Sequence, residues 1–377
     1  MCRNENVDIK GIVDSVSHWL NKTDLFISDN PVGIESRVQD VINCLDFRSK
    51  GVQLLGIWGM GGIGKTTITK AVYNKIGHKF DGRSFLANIR EVWKQDGRQM
   101  GLQEQLLFDI CKEGPIKIPN TELGKNTLKD ILSLKRVLIV LDDVNTLDQL
   151  NTFCGSRGWF GSGSVIIITT RDLHLLKGIV DKIYKMTLMN ESESIELFSW
   201  NAFKKASPTR DFVRVTEDVI EYSGGLPLAL EVLGSYLFYK TKSMWDFVLK
   251  RLKRIPNDQV QKKLRISYDG LNEEEQEIFL DIACFLIGMD RNDVILVLDE
   301  CGLSAEIGIS VLVDRGLVSV DDKNMLGMHG LLRDMGREIV REESPWRPEN
   351  RSRLLYQADV IDVLSKQTVR TSYNFFL

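Results

Sequence analysis

The chain has 377 residues, of which 43% are hydrophobic and 27% charged, and its formal net charge is −3 at pH 7. That length exceeds one ordinary core and implies two or three domains, while the near-neutral charge gives no global pull toward nucleic acid or an anionic membrane. Its longest apolar runs, VLIVL and VIII, are strand-length, far short of the ~20 residues of a bilayer span.

The opening segment, MCRNENVDIKG, is charged and lacks the apolar core of a signal peptide. Six dispersed cysteines (Cys2, Cys44, Cys111, Cys154, Cys284, Cys301) form no CxxC pair, which argues against a disulfide framework and for a reducing compartment, the cytoplasm or also the nucleus. Residues 1–30 read as a linker with a helix near 13–20.

From Val52 the sequence runs VQLLGIWGMGGIGKTTITKAVYNKI. Residues 52–58 suit a buried strand, and Ile68, Ala71, Val72 and Ile76 recur at helical spacing over 65–76. Between them Gly59, Gly64, Lys65 and Thr66 satisfy G-x-x-x-x-G-K-[ST]. Glycines let the backbone curl so that successive N–H groups point at phosphate oxygens, and the new helix adds its positive end. Lys65 then reaches the β/γ-phosphates and the Thr66 oxygen is placed to ligate Mg2+.

A second continuous apolar run, RVLIVLDDV, suits a central parallel strand covered on both faces. Asp142 and Asp143 fall at its carboxyl end, where open α/β sheets bind ligands. Asp142 is the candidate Mg2+ ligand, and Asp143 the candidate for orienting or deprotonating an attacking water. The next strand, SVIIITTRD at 164–172, ends in Arg171, a candidate γ-phosphate sensor. Further strands expected near 84–89 and 183–188 complete a five-stranded parallel sheet.

After Met189 the pattern becomes helical. Asn190 with Glu193, and Asn272 with Glu275, carry the spacing of capped helix starts. Gly224 and Gly225 end one helix, and Pro227 suits the first turn of the next. GLVSVDDKNMLGMHG reads as two short strands about a polar turn, flanked by helices, the outline of a winged helix.

Nine segments stand in order: NPVGIESRV, GMGGIGKTT, FLANIREV, VLIVLDDV, GSGSVIIITTRD, LFSWNAF, GGLPLALEVLGSYL, ISYDGLNEEEQEIFLDIACFL and MHGLLRDMGREIV. Together they resemble the nucleotide-binding (NB-ARC) module of plant intracellular immune receptors, in the branch with an N-terminal Toll-type domain. The resemblance implies an α/β P-loop NTPase domain at 31–189, a four-helix bundle at 190–262, a winged-helix domain at 263–345 and a linker and tail at 346–377. It implies ADP or ATP with Mg2+ as ligands. Gly59, Gly61, Gly62, Ile63 and Gly64 then form the phosphate loop, with Lys65 and the hydroxyls of Thr66 and Thr67 on phosphate. By the same resemblance Val32 touches adenine, Pro227 packs on the base, and His329 donates to the β-phosphate of ADP.

The resemblance also implies a defence-signalling switch, closed with ADP, open with ATP and reset by slow hydrolysis. Its partners would be other receptor chains or signalling proteins, with a homo-oligomer on activation. Where the family has Met-His-Asp this chain has Gly330. An aspartate there is expected to fix the histidine much as an N-cap does, and its loss, about 0.5–2 kcal/mol, would move the balance toward the open state by up to roughly 30-fold. Relative to the family the chain reads as truncated, without the Toll-type and leucine-rich-repeat parts. Two other readings stay open: a turnover ATPase of the STAND/AAA type, and a winged-helix DNA-binding regulator. Balanced charge in GLLRDMGREIVREES weighs against the second.

Overall fold

In the computed structural model the described residues are 24–95, 97–112, 116–252, 256–355 and 357–365. The helix expected near 13–20 and the closing VRTSYNFFL lie outside them. Five strands make one parallel sheet: β1 (Gln53–Trp58), β2 (Gly82–Leu86), β3 (Val137–Val144), β4 (Val165–Thr170) and β5 (Lys182–Lys185), in the order β2-β3-β4-β1-β5. On β3, Leu138 and Val140 enter one hydrophobic cluster while Ile139 and Leu141 enter another on the opposite face. β4 divides in the same way, Val165 and Ile167 against Ile166 and Ile168. Burial on both faces is why these strands are unbroken apolar runs rather than alternating ones.

Helices cover both faces of the sheet. α1 (Ile34–Asn43) and α2 (Lys65–Ile76) pack together. α3 (Ile89–Trp93), α4 (Arg98–Cys111), α5 (Thr121–Leu132) and α6 (Leu147–Cys154) come after them in the chain. Several strand limits differ from expectation: β4 spans Val165–Thr170 rather than 164–172, and β3 runs on past Asp142 and Asp143 to Val144. β2 stops at Leu86 because Asn88, at φ 51°, turns the chain and starts α3 at Ile89. β5 stops at Lys185, although the Met186 N–H still donates to the Trp58 carbonyl at 2.9 Å.

Four helices come next: α7 (Glu191–Phe203), α8 (Val213–Ser223), α9 (Pro227–Leu237) and α10 (Lys242–Leu252). An aromatic group sits within their largely aliphatic core. Trp245 stacks on Phe203 at 5.4 Å, meets Phe198 and Phe212 edge-on, and donates its indole N–H to the Leu237 carbonyl at 3.0 Å. The capping box expected at Asn190 and Glu193 is formed, and Pro227 occupies the first turn of α9.

α11 (Asp258–Tyr268) runs straight across the division expected at 262/263. Its buried Val260, Leu264 and Tyr268 share a cluster with Ile278, Phe279 and Leu331, and the helix touches both α9 of the bundle and the C-terminal helix Gly330–Glu343. α12 (Glu273–Asp281), whose Asn272–Glu275 capping box is also formed, widens into a π turn at Ile282–Leu286. α13 (Arg291–Glu300), α14 (Ala305–Asp314), the antiparallel pair β6 (Ser319–Val320) and β7 (Leu326–Gly327), and α15 (Gly330–Glu343) complete a winged helix. Beyond it Arg353, 1% exposed, inserts between Asp281 at 2.6 Å and Glu277 at 2.7 Å, and α16 (Gln357–Ser365) lies after it. No helix among the described residues is long and apolar enough to cross a membrane.

Candidate functional site

β1 is flanked by β4 and β5, so the loop leaving it emerges at the carboxyl edge of the sheet's middle. Ligands bind there in open α/β folds. Within this loop Gly62 (φ 81°) and Gly64 (φ 96°) take left-handed conformations that a side chain would strain. α2 then begins at Lys65 with no side-chain cap, leaving its first N–H groups aimed into the curl of the loop. Lys65 Nζ folds back onto the carbonyls of Gly59 at 2.6 Å and Met60 at 3.0 Å. Burial, with Arg171 nearby, lowers its pKa from 10.5 to about 7.

Asp142 is fully buried in the C-terminal half of β3. Thr169 Oγ1 donates to it at 2.7 Å and Thr66 Oγ1 at 3.0 Å. Burial raises its pKa against the pull of those two hydrogen bonds. A hydroxyl and a carboxylate converging on one point are hard oxygen donors of the type Mg2+ takes beside nucleotide phosphates. The two residues therefore fit the metal assigned to them.

The strand does not end at these aspartates. It continues to Val144 through a register shift between Leu141 and Val144, and Asp143 sits in that shift at φ 57°. Its N–H donates to Thr169 Oγ1 at 2.8 Å. Its carboxylate meets two guanidiniums, Arg90 Nη2 at 2.7 Å and Arg171 Nε at 3.4 Å. Arg171 also donates through Nη1 to the Lys263 carbonyl at 3.0 Å, and a Cβ at Gly61 would come within 2.7 Å of that nitrogen. Arg171 thus lies against the phosphate loop on one side and α11 on the other.

Val32, Ile63, Gly64, Thr67 and Pro227 line one cleft, with Met186, Met189 and Leu197 adding apolar wall. Glu231, one turn beyond Pro227, lines it as well. Its edge is tied by Arg37, which makes a forked ion pair with Glu193 at 2.7 and 2.8 Å and donates to the carbonyls of Gly33 and Leu188. The Leu228 N–H donates to the Gly62 carbonyl at 3.2 Å, joining α9 directly to the phosphate loop.

His329 is not among the residues lining that cleft. Its Nδ1 accepts the Leu331 N–H at 3.2 Å and caps α15, and its Nε2 lies 3.1 Å from the Gly224 carbonyl at the end of α8. With Nδ1 accepting, a neutral ring carries its proton on Nε2 and donates it to Gly224. Burial holds the imidazole pKa below 6.5. The cap that was expected of an aspartate at position 330 is therefore supplied by His329. Gly330 occupies the first helical position, with open space where its Cβ would stand.

Three residues were not singled out for the site from sequence, although Arg90 lies in the segment FLANIREV and Arg37 in NPVGIESRV: Arg90 in a five-residue helix, and the pair Arg37 and Glu193, 156 residues apart. Trp58 is a fourth link, since its indole N–H lies 2.9 Å from the Asp314 carbonyl and 3.2 Å from that of Arg171.

The Walker-type ATPase PABY2304 of Pyrococcus abyssi superposes with a TM-score of 0.55 at 13% identity, covering 83% of this chain and 100% of that one, a likeness of fold. Fold and phosphate loop together define a P-loop nucleotide-binding protein with helical and winged-helix parts. Residues 34–208 match the NB-ARC domain family, and residues 272–344 match the winged-helix domain of Roq1-like disease resistance proteins. Disease resistance protein RUN1 of Vitis rotundifolia is 44% identical over 352 residues, 93% of this chain and 26% of that one. TMV resistance protein N of Nicotiana glutinosa is 40% identical over 368 residues, 96% of this chain and 32% of that one. The chain carries an NB-ARC domain and a Roq1-like winged-helix domain, and over nearly its whole length it is similar to plant disease resistance proteins. It spans about a quarter to a third of the length of these relatives.

Proposed function

We propose that this chain works as the ADP/ATP-operated switch of a plant defence receptor, closed with ADP, open with ATP and reset by slow hydrolysis. The observation that carries this reading is a three-way junction at the phosphate loop. Gly62 is bonded to α9 through Leu228, Arg171 to α11 through Lys263, and Trp58 to the end of α14 through Asp314. A change in phosphate content at the loop acts on all three contacts at once, which is what a nucleotide switch requires.

In this reading Val32 and Pro227 hold the base, and Gly59, Gly61, Gly62, Ile63 and Gly64 cradle phosphate with Lys65, Thr66 and Thr67. Thr66 and Asp142 hold the Mg2+ that neutralises phosphate charge. Arg171 senses the terminal phosphate, and Asp143 orients water once it is free of its two arginines, a constraint that favours slow turnover. His329 is the winged-helix residue that would donate to the β-phosphate of ADP, exchanging its contact with Gly224 for the phosphate. The winged helix serves as a moving part rather than a DNA reader, because Arg333 and Arg341 on α15 are paired with Asp334 and Glu338. Other receptor or signalling chains, or further copies of this one, are the partners of the open form, in the cytoplasm.

Hydrogen exchange on nucleotide-stripped protein with ADP or a non-hydrolysable ATP analogue tests the switch. The two nucleotides should protect the phosphate loop alike and differ at α9, α11 and the end of α14. Identical protection with both would remove the switch reading while leaving nucleotide binding intact.

A further inference from the structure

We infer that Arg90 is a positioning residue that sets the site's preference for a nucleoside triphosphate over a diphosphate, acting through Asp143 on Arg171. The inference rests on the nucleotide reading above and adds a residue to it. Arg90 is 7% exposed, held in the first turn of α3 where Asn88 turns the chain back toward the site. A buried guanidinium is costly unless paired, and its partner here is Asp143. The exposed Glu91 stands 3.5 Å from Arg90 Nε without completing a hydrogen bond.

One carboxylate therefore serves two buried cations unequally. Asp143 is 2.7 Å from Arg90 Nη2 but 3.4 Å from Arg171 Nε, and Arg171 Nε has no hydrogen-bond acceptor among the described residues. Two guanidiniums, Arg90 and Arg171, face the single carboxylate of Asp143, leaving one positive charge over beside the phosphate loop. By holding the carboxylate on its own side, Arg90 keeps Arg171 loosely engaged and available to an added anion. Without Arg90, Asp143 would belong wholly to Arg171 and neutralise it. A terminal phosphate is the anion that Arg171 would then fail to meet. A diphosphate, held by the loop and Lys65, makes no such demand.

The experiment is calorimetric titration of the nucleotide-stripped full chain with ADP and with a non-hydrolysable ATP analogue. Arg90→Gln should weaken triphosphate binding about tenfold, the effect of one charge-assisted hydrogen bond, with diphosphate binding changed by less than about twofold. Asp143→Asn releases Arg171 and should shift the ratio the other way. The double variant Arg90→Gln/Asp143→Asn should follow Asp143→Asn, because Arg90 acts through that carboxylate. A purely structural role would lower both affinities and the thermal midpoint together, and that result overturns the inference. If Arg90→Gln does not fold, Asp143→Asn decides alone, since an unchanged ratio contradicts the proposal. Wild-type protein that binds neither nucleotide would defeat the underlying nucleotide reading instead.

Discussion

His329 Nε2 lies 3.1 Å from the Gly224 carbonyl while His329 Nδ1 accepts the Leu331 N–H, so one neutral imidazole both caps α15 and holds it to the end of α8. His329→Ala removes both contacts and should lower stability by about 1–2 kcal/mol in a urea titration. His329→Asn keeps a capping oxygen and should recover about half. The folded pKa is below the ordinary 6.5, so the folded state binds fewer protons just under that value. Stability should therefore fall as pH drops below about 6.5 and on through the lowered folded pKa, and this component should vanish in His329→Asn. A flat profile in the wild type would contradict the assignment.

Gly330→Asp should stabilise the chain. The position opens α15, whose first turn holds no acidic residue, and a Cβ there meets nothing within 4 Å. Asp218, Glu221, Asp334 and Glu338 line the cleft beside Gly330 together with Arg333 and Arg337, so the gain comes from the helix dipole and from reduced backbone freedom rather than from local charge. A gain of about 1 kcal/mol is expected, read as a higher thermal midpoint, with Gly330→Ala capturing only the backbone share. A lower midpoint would show that open space at this site is occupied in solution.

Much of this site was legible because phosphate chemistry demands a local pattern. The run from Gly59 to Thr66 places strand, loop and helix within a few residues, and β1 and α2 lie where that run puts them. The Asp142–Asp143 pair was legible for the same reason, but the irregularity that turns Asp143 into a left-handed conformation was not. Arg90 was invisible because its role depends on a partner 53 positions away, and the single sequence carries no signal for that pairing. The 262/263 division was not legible for a different reason: Asn257 caps α11, and that helix runs across the division while touching both α9 of the bundle and α15.

Arg353 and Asp281 form an ion pair in which both side chains are 1% exposed. Replacing Arg353 with Met leaves Asp281 buried without its cation, which costs about 3–5 kcal/mol when one partner of such a pair is lost. Denaturant titration should show this loss, and Arg353→Met/Asp281→Leu should recover much of it. An unaffected midpoint in Arg353→Met would mean the arm at 351–355 does not dock in solution.

Lys65 links nucleotide binding to pH. Burial holds its pKa at about 7 rather than 10.5, so above pH 7 the amine is largely neutral. Phosphate favours the ammonium, so binding above pH 7 takes up a proton and should weaken by up to about tenfold per pH unit toward pH 9. Calorimetry in buffers of different ionisation enthalpy counts that proton directly. Affinity that stays constant from pH 7 to pH 9 would show that Lys65 is already charged before phosphate arrives.

The measurement closest to the central claim is the nucleotide content of protein purified without added nucleotide, denatured and resolved by ion-exchange chromatography. The account predicts near-stoichiometric ADP, with ADP and ATP both able to rebind after stripping. A preparation that carries no adenine nucleotide and binds neither one on titration would contradict it.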